Sequence, residues 1–146
     1  MKSKKISRRN FIKVTSAGAA VLAVNPGCFS SNGNTGFDPK GLPTRKFGST
    51  GIKVPLIGIG CGSRFLQIDN IEESDRLLNY ALDNGIFYWD TAASYDWDNK
   101  SSEERLGRVL KSRRKEVWLS TKISERDGPK ALKQFERSLK RLQTDY

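Results

Sequence analysis

Three side chains able to take part in proton transfer follow predicted strands. Asp90 comes directly after the apolar run 86–89, Tyr95 lies five residues further on, and Lys122 closes a predicted strand over 116–123. A carbonyl that accepts a hydride develops negative charge on its oxygen and needs an acid to donate a proton. A phenol is normally too weak an acid, but a nearby ammonium stabilises the phenolate and a carboxylate holds that ammonium charged. The pattern predicts that Tyr95 donates the proton, that Lys122 stabilises the resulting phenolate, and that Asp90 holds Lys122 charged and in place.

These residues need elements that bring them together, and strands alternate with helices from residue 44 onward. A hairpin is predicted where the short runs 45–47 and 52–54 flank a turn bounded by glycines. Three apolar runs then predict strands over 55–62, 86–89 and 116–123. Helices are predicted after a cap at Asp69 or Asn70, after a capping box from Ser101 to Glu104, and from Pro129 onward.

Two α/β architectures fit this alternation, because both use right-handed crossovers and a parallel sheet. A nucleotide-binding doubly wound sheet should carry the pattern G-x-G-x-x-G after its first strand. Gly58, Gly60 and Gly62 stand one residue apart, and the third glycine of the pattern would fall at Phe65 or Leu66, so the fingerprint is missing. The alternative is an eight-stranded β/α barrel, in which the carboxyl ends of the strands share the face that carries the chemistry.

Composition narrows the possible functions further. The 146 residues carry 26 Lys and Arg against 16 Asp and Glu, and 36% are hydrophobic, too few for a protein of many membrane spans. Residues 1–37 contain six bases and no acid, so they hold more than half of the net charge of +10, and a general nucleic-acid-binding role loses support. Histidine is absent and there are two cysteines, so we predict neither a His-ligated metal site nor a disulfide framework within these residues.

The basic amino-terminal segment has the layout of an export signal. Ser7-Arg8-Arg9-Asn10-Phe11-Ile12-Lys13 precedes a mildly apolar run, 14–24, that is too short for a stable membrane span. It resembles the twin-arginine signal, with Ile12 in place of the usual leucine. A basic amphipathic helix is the alternative, which Gly18 and the many alanines disfavour. The resemblance implies export of a folded protein by the twin-arginine machinery to the periplasm or cell envelope.

The signal is predicted to cover residues 1–27, and a flexible linker rich in Ser, Asn, Gly and Pro follows over 28–43. Cys28 suggests lipid attachment at the start of this linker. Asn25 stands where a lipid-attachment motif has leucine, so an incidental thiol is the other interpretation.

The region 44–146 resembles the aldo/keto reductase family. The stretches that carry the resemblance are 45–55, 56–62, Trp89-Asp90-Thr91-Ala92-Ala93-Ser94-Tyr95, Ser102-Glu103-Glu104-Arg105-Leu106-Gly107 and Ser120-Thr121-Lys122. The resemblance implies a (β/α)8 barrel whose bottom is capped by the hairpin. It also implies reversible hydride transfer from NADPH or NADH to an aldehyde or ketone. Asp90, Tyr95 and Lys122 match three of the family's four catalytic roles, and Gly60, Cys61 and Asp90 match positions beside the nicotinamide.

The sequence departs from the family pattern in two places. Residues 96–101 lengthen the loop after Tyr95 and add Trp97, which forms either a wall of the substrate pocket or a loop tip packed on its own stem. The family's fourth catalytic residue is a histidine at the end of the fourth strand, and the sequence stops at Tyr146, where that strand would begin. A complete barrel needs roughly 250 residues.

We therefore expect 44–146 to be an incomplete barrel of about three β/α units, from the amino-terminal portion of an exported reductase and inactive in isolation. The alternative function is a non-catalytic envelope protein of reductase ancestry that binds a nucleotide or a partner.

Overall fold

A computed structural model describes residues 37–146. The strands are β1 (Thr44–Lys46), β2 (Lys53–Pro55), β3 (Ile59–Gly60), β4 (Tyr88–Asp90), β5 (Asp96–Trp97), β6 (Lys100–Ser101) and β7 (Trp118–Ser120). The helices are α1 (Ser63–Leu66), α2 (Ile71–Asp83), α3 (Ser102–Arg113) and α4 (Gly128–Leu142), with a 3₁₀ turn at Arg114–Glu116.

The central sheet is parallel, with the strand order β3-β4-β7. Its register places Gly60 beside Asp90 and Asp90 beside Ser120, so the carboxyl ends of the three strands lie level. Each strand is followed by a helix, which confirms the predicted β/α units and their parallel sheet. The strands themselves are shorter than predicted.

The predicted hairpin precedes the sheet in the sequence. It consists of β1 and β2, which pair antiparallel with Arg45 opposite Val54. The prediction of a single strand over 55–62 is wrong. Pro55 ends the hairpin, and only Ile59–Gly60 joins the sheet. The chain turns between the two, where the Leu56 amide donates a hydrogen bond to the Pro43 carbonyl at 3.0 Å.

Two of the four described helices, α2 and α4, begin at a residue whose side chain caps them, and the places of Asn70 and Pro129 are as predicted. The Asn70 side chain accepts a hydrogen bond from the Glu73 amide at the start of α2, and Pro129 lies in the first turn of α4. The capping box predicted from Ser101 to Glu104 is wrong. Ser101 is the cap residue of α3, but its hydroxyl makes no capping bond and is buried without a partner in the described region.

The core lies between the sheet and the helices. Its largest fully buried side chains come from the strands and from facing positions of the helices: Trp89, Phe87, Leu66, Leu78, Leu106, Leu110 and Leu142. Gly107 lets α3 approach α4 closely, since a Cβ there would lie 2.2 Å from the Arg141 carbonyl oxygen. On α4, Leu142 is buried, whereas Leu132 and Phe135 are exposed because no described element covers them.

The linker prediction differs from the structure at its carboxyl end. Phe37 stacks on Phe87 with ring centroids 5.0 Å apart and meets the edge of Trp118 at 6.0 Å. The chain passes so close to Gly85 (φ +85°) that a Cβ there would lie 2.1 Å from the Pro39 carbonyl oxygen. Residues from 37 onward therefore belong to the folded body. The predicted signal and residues 28–36 of the linker lie outside the described residues.

Within residues 37–146, no helix is both long and apolar enough to span a bilayer.

Candidate active site

The Lys122 ammonium group is the centre of the candidate site. Its Nζ donates hydrogen bonds to Asp90 Oδ2 at 2.5 Å, to the Thr91 carbonyl oxygen at 2.7 Å and to the Tyr95 hydroxyl at 3.3 Å. The same Nζ lies 4.7 Å from the centroid of the Tyr95 ring. The structure thus brings together the three residues that the sequence singled out, at the carboxyl ends of β4 and β7.

The sheet and its loops position these residues through the backbone. Asp90 ends β4 in register with Ser120. Beyond the strands, the Ala93 amide donates to the Lys122 carbonyl at 3.1 Å. The Tyr95 carbonyl accepts from the Ser102 amide, at the start of α3, at 2.9 Å. The turn that carries Tyr95 is therefore tied both to the segment after β7 and to the first turn of α3.

Electrostatics keep Lys122 charged. Partial burial disfavours its ammonium form, but the hydrogen bonds with Asp90 and Tyr95 outweigh burial and raise the pKa of Lys122 above its ordinary value. An ammonium has three N–H donors, and the three acceptors found here can take one each. The group is therefore a fixed cation that points at the phenol oxygen and can stabilise negative charge on it.

The predicted cofactor-facing residues differ in what they offer a ligand. Gly60 lies beside Asp90 in the sheet, and a Cβ at Gly60 would meet no atom within 4 Å, so there is open space for a group to approach. Both residues line an open cavity of about 300 Å³. Cys61 is different because its side chain is fully buried and its amide already donates to the Asp90 carbonyl at 2.8 Å. Burial raises the pKa of this thiol to about 12.

A buried hydroxyl pair that sequence reasoning missed joins the strand ends to α3. Ser102 Oγ donates to the Cys61 carbonyl at 2.5 Å and lies 2.7 Å from Thr91 Oγ1. Both side chains are fully buried. The predicted capping box began at Ser101, and no periodic pattern marks Ser102, so only the tertiary structure shows that Ser102 is the buried serine with hydrogen-bond partners.

Trp97 lies on a small hairpin that was predicted only as a longer loop. Strands β5 and β6 pair around Asp98 and Asn99, whose φ angles of 49° and 58° form the tight turn. The Trp97 side chain is 58% exposed. Together with Tyr95 it lines a cavity of about 330 Å³, whose other lining residues are Gly62, Ser63, Leu66, Ser94 and Asp96.

No group of three or more metal-ligating His, Cys, Asp or Glu side chains occurs in residues 37–146.

Comparison with known proteins identifies the family to which this site belongs. The sequence profile of the aldo/keto reductase family matches residues 57–146, well over half of the chain. The chain belongs to the aldo/keto reductase family. The matched region includes β3, β4 and β7 and all three residues of the Asp90–Tyr95–Lys122 cluster.

Individual members of the family agree with this assignment. The chain is 34% identical over 118 residues to the uncharacterized oxidoreductase YrpG of Bacillus subtilis, with 68% of this chain and 36% of that protein covered. It is 29% identical over 116 residues to L-glyceraldehyde 3-phosphate reductase of Escherichia coli K12, with 70% and 34% covered. The chain spans about a third of the length of these curated relatives.

A solved structure extends the similarity to the fold. An aldo-keto reductase from Klebsiella pneumoniae in complex with NADPH superposes with a TM-score of 0.57 at 29% identity, covering 64% of this chain and 33% of that one. The described residues therefore form the amino-terminal part of the aldo/keto reductase barrel, preceded by its hairpin, as predicted.

Proposed function

We propose that this chain supplies the proton-donating site of an enzyme that reduces an aldehyde or ketone with NADPH or NADH. The observation that carries the proposal is the Lys122 ammonium, which contacts Asp90 on one side and Tyr95 on the other. Membership of an oxidoreductase family and the NADPH complex of the Klebsiella relative support it.

A nicotinamide held beside Gly60 and Asp90 would supply a hydride for the carbonyl carbon, and the negative charge would develop on the carbonyl oxygen. Tyr95 gives its hydroxyl proton to that oxygen, so the carbonyl compound leaves as an alcohol. Lys122 stabilises the phenolate that remains, and Asp90 keeps Lys122 charged and in place. A proton from solvent then restores Tyr95.

The residues available to a nicotinamide are Gly60 and Asp90, which border open space at the ends of β3 and β4. Gly60 admits a flat ring because it has no side chain. The Cys61 thiol is turned into the core, so we assign it no direct cofactor contact. Trp97 remains our candidate for a wall of the substrate pocket, since it lines the same cavity as Tyr95.

Substitution of Tyr95 tests the proposal. In the full-length protein, Tyr95→Phe should lower the rate of NADPH-dependent carbonyl reduction by about 10² to 10⁴, the usual contribution of a general acid. Tyr80→Phe is the matched control, because Tyr80 is 71% exposed on α2 and should have no effect. Equal reduction by Tyr95→Phe and wild type would remove Tyr95 from the mechanism. A wild type that binds NADPH without reducing any carbonyl would favour the non-catalytic alternative.

We also propose that residues 1–27 direct export by the twin-arginine route to the periplasm or cell envelope. The support is the sequence pattern around Arg8 and Arg9. Replacing both arginines by lysine should leave the protein in the cytoplasm, whereas replacing Lys4 and Lys5 by arginine should not. Cell fractionation measures the outcome, and export of the double-lysine variant would contradict the proposal. Lipid attachment at Cys28 predicts that Cys28→Ser releases the exported protein from the membrane fraction.

A further inference from the structure

A carboxyl group lies enclosed behind the segment that carries Lys122. Glu103 is in the first turn of α3, and its side chain is fully buried. Thr121 Oγ1 donates a hydrogen bond to Glu103 Oε1 at 2.8 Å. The other oxygen, Oε2, has no hydrogen-bond partner among the described residues and lies 3.9 Å from Arg141 Nη1.

Stability is a poor reason for this arrangement. Transferring an ion pair from water to a protein interior costs several kcal/mol per ion, and apolar residues of similar volume often stabilise a fold as well or better. The first turn of a helix favours an acidic group, but typically by no more than about 1 kcal/mol. A buried group with one oxygen left without a hydrogen bond calls for another explanation.

The contact with Thr121 bears directly on the direction of Lys122. Strand β7 ends at Ser120, so both residues lie beyond the last paired position of the sheet. Successive side chains of an extended chain point to opposite faces. Once the Thr121 hydroxyl is held against α3 by Glu103, the Lys122 side chain must leave on the other face, where Asp90 and Tyr95 lie.

The contact with Arg141 bears on the turn that carries Tyr95. Arg141 Nη1 lies 3.5 Å from the Ala93 carbonyl oxygen and 3.4 Å from Asp96 Oδ1, so it contacts this turn on both sides of Tyr95. The guanidinium that faces Glu103 Oε2 therefore reaches the turn from α4. One carboxyl group stands between the segment with Lys122 and the turn with Tyr95.

We propose that Glu103 is a positioning residue, which acts through Thr121 on one side and Arg141 on the other to hold Lys122 and Tyr95 within hydrogen-bonding distance. The effect of Glu103 on catalysis rests on the function proposed above. Its effect on the position of the Lys122 side chain does not depend on that function.

The test removes the hydroxyl of Thr121 while keeping its shape. Thr121→Val lacks the donor, and the matched control Thr121→Ser keeps it. In the full-length protein we expect Thr121→Val to lower kcat for carbonyl reduction about 10- to 100-fold with KM for NADPH unchanged, because a misplacement of about 1 Å can cost 100-fold. Thr121→Ser should stay close to wild type. A general loss of structure would lower the melting temperature of both variants and would not be rescued by serine.

A second readout does not need activity. The pH dependence of Lys122 acetylation by acetic anhydride, followed by mass spectrometry, gives the pKa of this ammonium. The titratable groups around it are Asp90 and Tyr95, which bond to it, and the buried Cys61 thiol. We expect this pKa to be raised in wild type and in Thr121→Ser and to fall toward its ordinary value in Thr121→Val. Should Thr121→Val not fold, Glu103→Gln, which removes the pairing with Arg141, is measured in the same way.

The outcomes separate the two proposals. If Tyr95→Phe abolishes reduction but Thr121→Val matches wild type in both kcat and Lys122 titration, the positioning role is overturned and the proposed function stands. If wild type reduces no carbonyl, the proposed function fails, and the Lys122 titration decides the positioning role alone.

Discussion

At the scale of single residues, the candidate site depends on one ammonium group with three acceptors. The types of Asp90, Tyr95 and Lys122 could be interpreted from the sequence because proton transfer to a carbonyl needs a phenol, a cation and an anion. Their convergence was also predictable, since the carboxyl ends of parallel strands share a face. The third acceptor, the Thr91 carbonyl, could not be predicted because a backbone group carries no sequence signal.

The Asp90–Lys122 pair should contribute to stability in a pH-dependent way. The folded-state pKa of Lys122 is raised, so its stabilising effect is complete below the ordinary value of 10.5 and is lost as the pH rises through the folded-state value. We expect Asp90→Asn to lower the unfolding free energy at pH 7.5 by at most about 1 kcal/mol, because Lys122 is half exposed. Urea unfolding should show the difference from wild type shrinking above pH 10.5.

The control for this prediction is Asp98→Asn. Asp98 forms no ion pair within residues 37–146 and lies at the tip of the β5–β6 hairpin, where asparagine tolerates a positive φ. This variant should show no pH-dependent difference from wild type. A difference for Asp90→Asn that stays constant to pH 11 would show that Lys122 is not its cause.

At the scale of elements, the sequence predicted where α2, α3 and α4 lie but only some of the side chains that fix their ends. The cap of α2 was narrowed to Asp69 or Asn70, and Asn70 is the one that forms it, because a cap depends on the next three residues of the chain. Ser101 was wrongly predicted as a cap and the role of Ser102 was missed, because the partners of Ser102 are residues 61 and 91, far away in the sequence. The missed roles of Glu103 and Thr121 have the same cause.

The two serines should respond oppositely to substitution. Ser102→Ala leaves the Cys61 carbonyl and the Thr91 hydroxyl without their buried partner, so the unfolding free energy should fall by about 1 to 3 kcal/mol. Ser101→Ala removes a buried hydroxyl that makes no hydrogen bond in the described region, so it should be neutral or stabilising. Thermal or urea unfolding of the two variants compares them directly. A larger loss of unfolding free energy for Ser101→Ala than for Ser102→Ala would indicate that Ser101 does cap α3, contrary to the structure.

At the scale of the whole molecule, the alternation of strands and helices was enough to predict the architecture. The order of the three parallel strands follows from that alternation, and the hairpin follows from the Gly-bounded turn. The boundary of the folded body was predicted too late in the chain, because Phe37 lies in a segment of linker-like composition. Its aromatic partners, Phe87 and Trp118, are 50 or more residues away.

Phe37 should therefore matter for the stability of the entire body. We expect Phe37→Ala to lower the unfolding free energy by about 1 to 3 kcal/mol, since it removes a partly buried ring and two aromatic contacts. Phe135→Ala is the control, because that ring is 43% exposed and the substitution suits a helix. Urea unfolding measures both variants. Equal stability of Phe37→Ala and wild type would indicate that residues 37–43 are part of the flexible linker and not of the folded body.

The enclosure of Cys61 bears on the compartment in which such a protein would work. Outside the cytoplasm, thiols meet oxidants and disulfide exchange partners, which react with the thiolate and need access to the sulfur. Cys61 offers neither, since its thiol is fully buried and holds its proton to a pKa of about 12. A sulfenic acid or a mixed disulfide at this position would require the strand ends to separate first. The fold thus shields Cys61, the only sulfur-containing residue within 37–146, from oxidative damage.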